Sequence, residues 1–312
     1  MSSRAALCCL LAVMFFGSAC NVYRVFVPST HTDSVAPELP AELDPPAVLV
    51  YSKTNGFRHD EAIEVGGQLL KEIAARRGWS IFHTENGAVF NAPALARFDV
   101  VVWHNASGDS LDAEQKEAFR TWLVAGGGYV GTHAAGDSSH TWPFYVDDII
   151  GAKFIGHPMG PQFQDATVIV EDRSHPASRH LPERFVQNDE WYSFEDSPRG
   201  PGVHVLAVLD ESTYQPAVKM LFIDQDLRMG EDHPVIWWRC VGRGRAIYSA
   251  LGHGPEVYET PEVQGLLEGA ISWAARLEGE GCSERPEREG AACGRAREDS
   301  PCDRGPRSSW AC

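Results

Sequence analysis

The stretch Gly126-Gly127-Gly128-Tyr129-Val130-Gly131-Thr132-His133-Ala134-Ala135 constrains the fold more than any other part of the chain. A glycine run closes the preceding helix, a short apolar strand follows, and the strand ends on a histidine and two alanines. Glycine accepts the positive φ of a helix end without a Cβ penalty. Small residues after the strand let the next helix start beside it. Such a strand-turn-helix corner presents a Ser or Cys nucleophile in hydrolases. Here it presents the imidazole of His133.

The flanking pattern agrees with that corner. Residues 47–51 form the continuous apolar run of a strand buried on both faces. Residues 60–76 read as a helix, with Asp60 and Glu61 in its first turn, where the helix dipole favours acids. Strands are expected at 79–83 and 98–103, then a helix at 112–125 opened by Asp112 and Gln115 in a capping-box arrangement. This alternation predicts a three-layer α/β fold, a mostly parallel sheet with helices on both faces. Beyond residue 151 the rhythm loosens. Strands are expected at 166–170 and 203–209, a hairpin at 235–241 and 245–251, and a closing helix at 261–277.

The ends of the chain read differently. Residues 1–20 carry Arg4, an apolar run over 5–16 and then Gly17-Ser18-Ala19-Cys20, the pattern of a secretory signal. A cysteine after small residues resembles a lipobox, so Cys20 is the expected lipidated first residue of an envelope protein, plain cleavage near Ala19 being the alternative. Residues 21–46, with five prolines, read as a tether; 47–277 form the domain and 278–312 a Cys-rich tail. Cys282, Cys293, Cys302 and Cys312 predict two disulfides in an exported protein, while Cys240, in an apolar strand, is expected to be a buried packing residue. The formal charge of −16 without a basic stripe argues against a nucleic-acid surface.

In an open α/β sheet, ligands bind outside the carboxyl ends of the strands. The first strand runs into Asn55-Gly56-Phe57-Arg58-His59, the third ends on His104-Asn105, the elbow on His133, and the strand before residue 252 on Gly252-His253-Gly254-Pro255-Glu256. Four histidines thus converge on one rim. No Gly-x-Ser-x-Gly occurs, and Cys240 is the only cysteine between residues 21 and 281, so an acyl-enzyme on the elbow is excluded. His133 is left as acid or base, metal ligand or hydrogen-bond donor.

These stretches, together with His157-Pro158, Asp189-Glu190-Trp191-Tyr192 and Gly242-Arg243-Gly244, stand in an order that resembles the ThuA-like (trehalose utilisation) family. The resemblance covers roughly residues 47–277. It implies a fold similar to class I glutamine amidotransferases (flavodoxin-like) and a role in the metabolism of sugars or oxidised (keto) sugars. His133 takes the position of the amidotransferase cysteine, so glutaminase activity does not carry over. His253 and Glu256 resemble the activating His-Pro-Glu pair with one residue inserted.

Two readings of the site stand. In one, His133, His253 and Glu190 bind a divalent metal such as zinc with an open position for a sugar oxygen. In the other, His133 moves a proton beside a carbonyl while His253 and Glu256 tune it. His59, Asn105, His157, Trp191 and Tyr192 are the expected substrate contacts, Trp191 as a stacking face for a pyranose or as core. A non-catalytic carbohydrate-binding or envelope interaction module on the same fold is the alternative to an enzyme. His175 and His233 are read as structural, His140 and His180 as surface residues.

Overall fold

The computed structural model describes residues 24, 27–220 and 223–282. The secretory signal, Cys20 and the tail cysteines beyond Cys282 lie outside the described residues. In chain order the elements are β1 (Ala47–Tyr51), α1 (Asp60–Arg77), β2 (Ser80–Thr84), α2 (Ala92–Leu95), β3 (Val100–His104), α3 (Ala113–Val124) and β4 (Gly128–Thr132). There follow β5 (Phe154–Gly156), β6 (Phe163–Val170), β7 (Arg184–Glu190), β8 (Ser193–Phe194) and β9 (Val203–Asp210). The chain continues through β10 (Ala217–Met220), β11 (Ile223–Asp226), β12 (Pro234–Val241), β13 (Gly244–Ser249) and α4 (Pro261–Ala274).

Nine strands form one sheet in the order β2-β1-β3-β4-β13-β12-β9-β6-β7. The pairings from β2 to β13 are all parallel. Those from β13 to β7 are all antiparallel. The parallel core and its α/β class are as the sequence predicts; the antiparallel extension is longer than expected. Every residue of β1, β3 and β4 is buried, because helices cover both faces. Helices α1 and α4 pack on one face, joined by Arg76 to Glu268 at 2.5 Å. On the other face, Phe119 of α3 meets Trp142 at 6.3 Å between ring centroids, and the helical turn Phe144–Ile150 takes the Trp237 Nε1 hydrogen bond on Ile150 O at 2.7 Å. Trp237 and Trp238 are both buried, on opposite faces, as strand alternation requires.

Strand directions decide where the site forms. Counting antiparallel steps from β13, strand β7 runs parallel to it, so Glu190 leaves the sheet at the same edge as the turn after β13. In a flat sheet four strand spacings of about 4.8 Å would separate them by roughly 19 Å. Yet Asp189 accepts hydrogen bonds from Gly252 N at 2.8 Å and His253 N at 3.1 Å. The antiparallel half therefore curls, as twisted sheets do, and brings its edge strand back over the parallel half.

Two expectations at the ends change. The segment read as a tether lies along the domain over residues 29–41: Ser29 N donates to Asn55 O at 2.7 Å, Asp33 pairs with Lys53 and accepts from Gly87 N at 2.7 Å, and Arg97 donates to Ala41 O at 3.1 Å. Cys240 is exposed rather than buried packing, and it forms a disulfide with Cys282, Cα atoms 5.6 Å apart. Its side chain shares the face of Trp238, where the chain after α4 returns, so Cys282 pairs with the strand and not within the tail. Among the described residues no helix is long and apolar enough to cross a membrane.

Candidate active site

The corner after β4 is built as a nucleophile's elbow. His133 has φ 42°, a left-handed conformation that costs a non-glycine residue about 1–3 kcal/mol unless its surroundings fix it. They do. His133 Nδ1 donates to Ala250 O at 2.8 Å, its carbonyl accepts from Tyr248 Oη at 2.9 Å, and Ala134 N donates to Asn105 Oδ1 at 3.3 Å. A Cβ on Gly136 would lie 2.2 Å from Tyr248 Oη, so the small residues make room for the tyrosine that holds the corner. A short 3₁₀ turn, His133–Asp137, follows in place of a full helix.

Three loops deliver the other groups. His59 precedes α1 as its N-cap, with no side-chain bond to the helix. His253 follows Gly252, whose φ of 125° turns the chain out of the sheet. Glu190 ends β7. Ring centroids of His59 and His253 lie 4.5 Å apart, His59 and His133 4.9 Å, and His133 and His253 5.1 Å. Tyr192 closes one side, its ring 4.2 Å from His133.

Glu190 is the hub. Its Oε2 lies 2.9 Å from His253 Nδ1 and 3.4 Å from His133 Nε2. Its Oε1 lies 3.0 Å from His157 Nδ1 and accepts from Gln162 Nε2 at 2.5 Å. Burial opposes the charge on Glu190, but the bonds and charges of His133 and His253 outweigh it and hold the carboxyl far below its usual range. Burial likewise acts to lower His133, yet the Glu190 hydrogen bond and the Asp189 and Glu190 charges win and raise it. His59 goes the other way: burial, with His133 and His253 beside it, pushes its pKa well down, and burial lowers His157 too. Asp189 is raised by burial despite the amides that cap it. The site thus holds an anionic carboxylate, one imidazole that favours its proton and two that resist theirs.

His59, His133, His253 and Glu190 each aim one donor atom so that all four lie within 4.8 Å of one another. A tetrahedral zinc site with bonds of about 2.0–2.1 Å separates its donors by roughly 3.4 Å. The His133–His253 contact of 3.2 Å and the two Glu190 contacts of 2.9 and 3.4 Å have that size, although hydrogen bonds would give the same distances. His59 decides between them. Its Nδ1 is buried and has no hydrogen-bond partner, a costly state for a polar atom. With Nδ1 bonded to Ala250 O, Nε2 is the His133 nitrogen that a cation would take in place of the proton Glu190 favours, the arrangement a metal-binding histidine uses. These residues fit a divalent cation.

The remaining expected residues sort clearly. Tyr192 and His157 join the site. Trp191 does not: it is fully buried, its Nε1 bonded to Gln164 O at 2.8 Å, so it is core and offers no stacking face. Asn105 is also fully buried, binding Gly252 O at 3.1 Å and Tyr258 Oη at 2.8 Å, and it supports the elbow rather than a ligand. Glu256 is exposed on the rim of the neighbouring cavity; the acid that meets His133 and His253 is Glu190. His104 turns into the core under α1, bonded to Thr132 and Ala62, and burial lowers its pKa to about 3. His175 packs on Trp238, His233 binds Tyr192 O, and His140 and His180 are exposed. Sequence reasoning missed Gln162 and the capping role of Asp189. A cavity of about 820 Å³ opens beside the cluster, bounded by Phe57, His59, Phe163, Asp189, His253 and Glu256.

Fold and site define an amidotransferase-like α/β protein with an imidazole where the nucleophile would stand. The chain belongs to the ThuA (trehalose utilisation) family, whose model matches residues 47–274, and is by that membership a carbohydrate-metabolism-related protein. Among solved structures it is similar to a ThuA-like protein of Bacteroides uniformis, at 24% identity and a TM-score of 0.63, covering 77% of this chain and 95% of that one. A ThuA-like protein of Parabacteroides merdae is similar at 18% identity and a TM-score of 0.56, covering 75% and 91%. No curated protein matches.

Proposed function

We propose that the protein is an exported enzyme acting on a sugar or an oxidised (keto) glycoside, with His59, His133, His253 and Glu190 holding a divalent cation, zinc by the chemistry of the donors. The observation that carries this reading is the buried, unpartnered Nδ1 of His59, on a ring packed 4.9 Å from His133 and 4.5 Å from His253 beside a strained elbow. Bound there, the ion would polarise a carbonyl or hydroxyl oxygen of the sugar.

The chain's own groups have separable tasks. The strained backbone and the Ala250, Tyr248 and Asn105 bonds fix where His133 points. His157 stands outside the four-donor set, half-buried, with its pKa lowered by burial, so at neutral pH it is an imidazole able to take a proton. Its bond to Glu190 Oε1 orients it for that task. Export is supported by the Cys240–Cys282 disulfide, which suits an oxidising compartment. Lipidation at Cys20 would be the protein's tie to the membrane.

The test is metal analysis of the purified full chain, with competition for zinc. One ion per chain is expected in the wild type and none in His133→Ala or His253→Ala, with circular dichroism unchanged. A wild-type protein that binds no divalent cation would sink the reading.

A further inference from the structure

The cavity beside the histidine cluster is not needed to hold a cation, and its walls have a chemistry of their own. Phe163, the first residue of β6, pairs in register with Glu190 and is 47% exposed. Its ring meets His253 edge-on at 4.9 Å, and Phe57 lies nearly parallel to His253 at 6.4 Å. The cavity wall also carries Asp60, Glu61 and Glu256. The cationic side chain at this wall, Arg58, is committed: it bonds Asp60 at 2.6 Å and Glu85 at 2.9 and 2.7 Å. His59 also lines the cavity.

The geometry points to a subsite for a neutral pyranoside, with Phe163 as the platform and Glu61 and Glu256 as acceptors for sugar hydroxyls. This rests on the sugar reading above and adds where the ring lies and which sugars are refused. One face of a pyranose is a row of polarised C–H bonds, which an electron-rich aromatic face attracts. Its rim of hydroxyls needs acceptors, and the exposed carboxylates supply them. Asp60 and Arg58 hold each other, so an anionic sugar meets the carboxylates of Glu61 and Glu256 and no uncommitted guanidinium, and a uronate is repelled. The volume, about 820 Å³, lies in the upper part of the roughly 300–1,000 Å³ range of small-ligand pockets, room for more than one ring.

The experiment is equilibrium binding of trehalose, methyl glucoside and methyl glucuronide to the full chain by titration calorimetry or saturation-transfer NMR. Trehalose and methyl glucoside should bind. Phe163→Ala should weaken them about tenfold and Phe163→Trp should restore binding. Methyl glucuronide should bind at least about tenfold more weakly than methyl glucoside, with the gap narrowing in Glu61→Gln/Glu256→Gln. Phe163 is half-exposed, so a thermal melt of Phe163→Ala should match the wild type. Unchanged sugar affinity in Phe163→Ala, equal affinity for the glucuronide, or no binding of either neutral probe overturns the subsite. If zinc still binds while sugar affinity ignores Phe163, only the subsite fails. If Phe163-dependent sugar binding persists in a protein that takes no metal, only the metal-enzyme reading fails.

Discussion

The two halves of the sheet make unlike contributions to one site. The parallel half, β2 to β13, supplies His59, His133 and His253 from the carboxyl ends of β1, β4 and β13, as open α/β sheets do. The antiparallel half supplies Glu190, Asp189, His157, Gln162 and Phe163, and it reaches them only by curling back over the first half. One half is thus a scaffold with a strained corner, and the other is a cover that brings the negative charge. Imidazoles alone would be a cluster of mutually repelling bases. The carboxylate of Glu190, tied on both oxygens, is what lets them stand together.

The largest effect should follow from cutting that dependence. Glu190→Gln keeps the shape and removes the charge that His133 and His253 face, and breaking a buried ion pair from one side costs about 3–5 kcal/mol. Urea unfolding of the metal-free protein should show this loss. The pH profile sharpens it. Glu190 is depressed below its ordinary 4.5, so it contributes stability above that value, lost as pH falls through the folded one. His133 is raised above 6.5, so its contribution is complete below 6.5 and lost as pH rises through its folded value. The pair should therefore stabilise most between those limits, and Glu190→Gln should flatten both flanks. A variant as stable as wild type, with the same pH profile, would break the view of Glu190 as hub.

A second break falls at the far side of the cover. The Cys240–Cys282 disulfide ties β12 to the chain beyond α4 across a separation of 42 residues. Chain entropy for such a loop gives about 4 kcal/mol, and measured values cluster near 2–4. Cys240→Ser/Cys282→Ser should lower stability by about 2–4 kcal/mol and leave zinc binding intact, since no group of the cluster touches it. Loss of metal with the disulfide would mean that the cover depends on this staple.

The same division explains what the sequence disclosed. Apolar runs such as residues 47–51 announce doubly buried parallel strands, and the ends of those strands fix the rim by rule, so His59, His133 and His253 were found together. Strand β6 alternates exposed and buried residues and β7 is mostly polar, which leaves their pairing and above all their curl to long-range contacts. That is why the sequence leaves two acids open for His253, Glu256 near it in the chain and Glu190 far from it, and only the fold shows that Glu190 meets it in space. Trp191 shows the same limit: an aromatic beside two acids reads as a sugar face until the fold buries it. His104 stands one residue too early, its ring turned under α1 rather than out at the rim.

A smaller change tests the seam itself. Asp189 accepts Gly252 N, His253 N and Glu190 N, at 2.8, 3.1 and 2.9 Å, and so clips the end of β7 to the turn that aims His253. Asp189→Asn keeps one acceptor oxygen and turns the other position into a donor facing a backbone amide. The expected loss is about 1–3 kcal/mol, the cost of leaving a buried polar group unsatisfied. Because the seam positions His253 without being a donor in the cluster, zinc affinity should fall by about 10–100-fold rather than vanish, as for groups that orient metal ligands. Binding of zinc by competition, measured beside urea unfolding, separates the two quantities. If stability falls and affinity does not, the turn after β13 is rigid by itself, and the cover contributes charge but no aim.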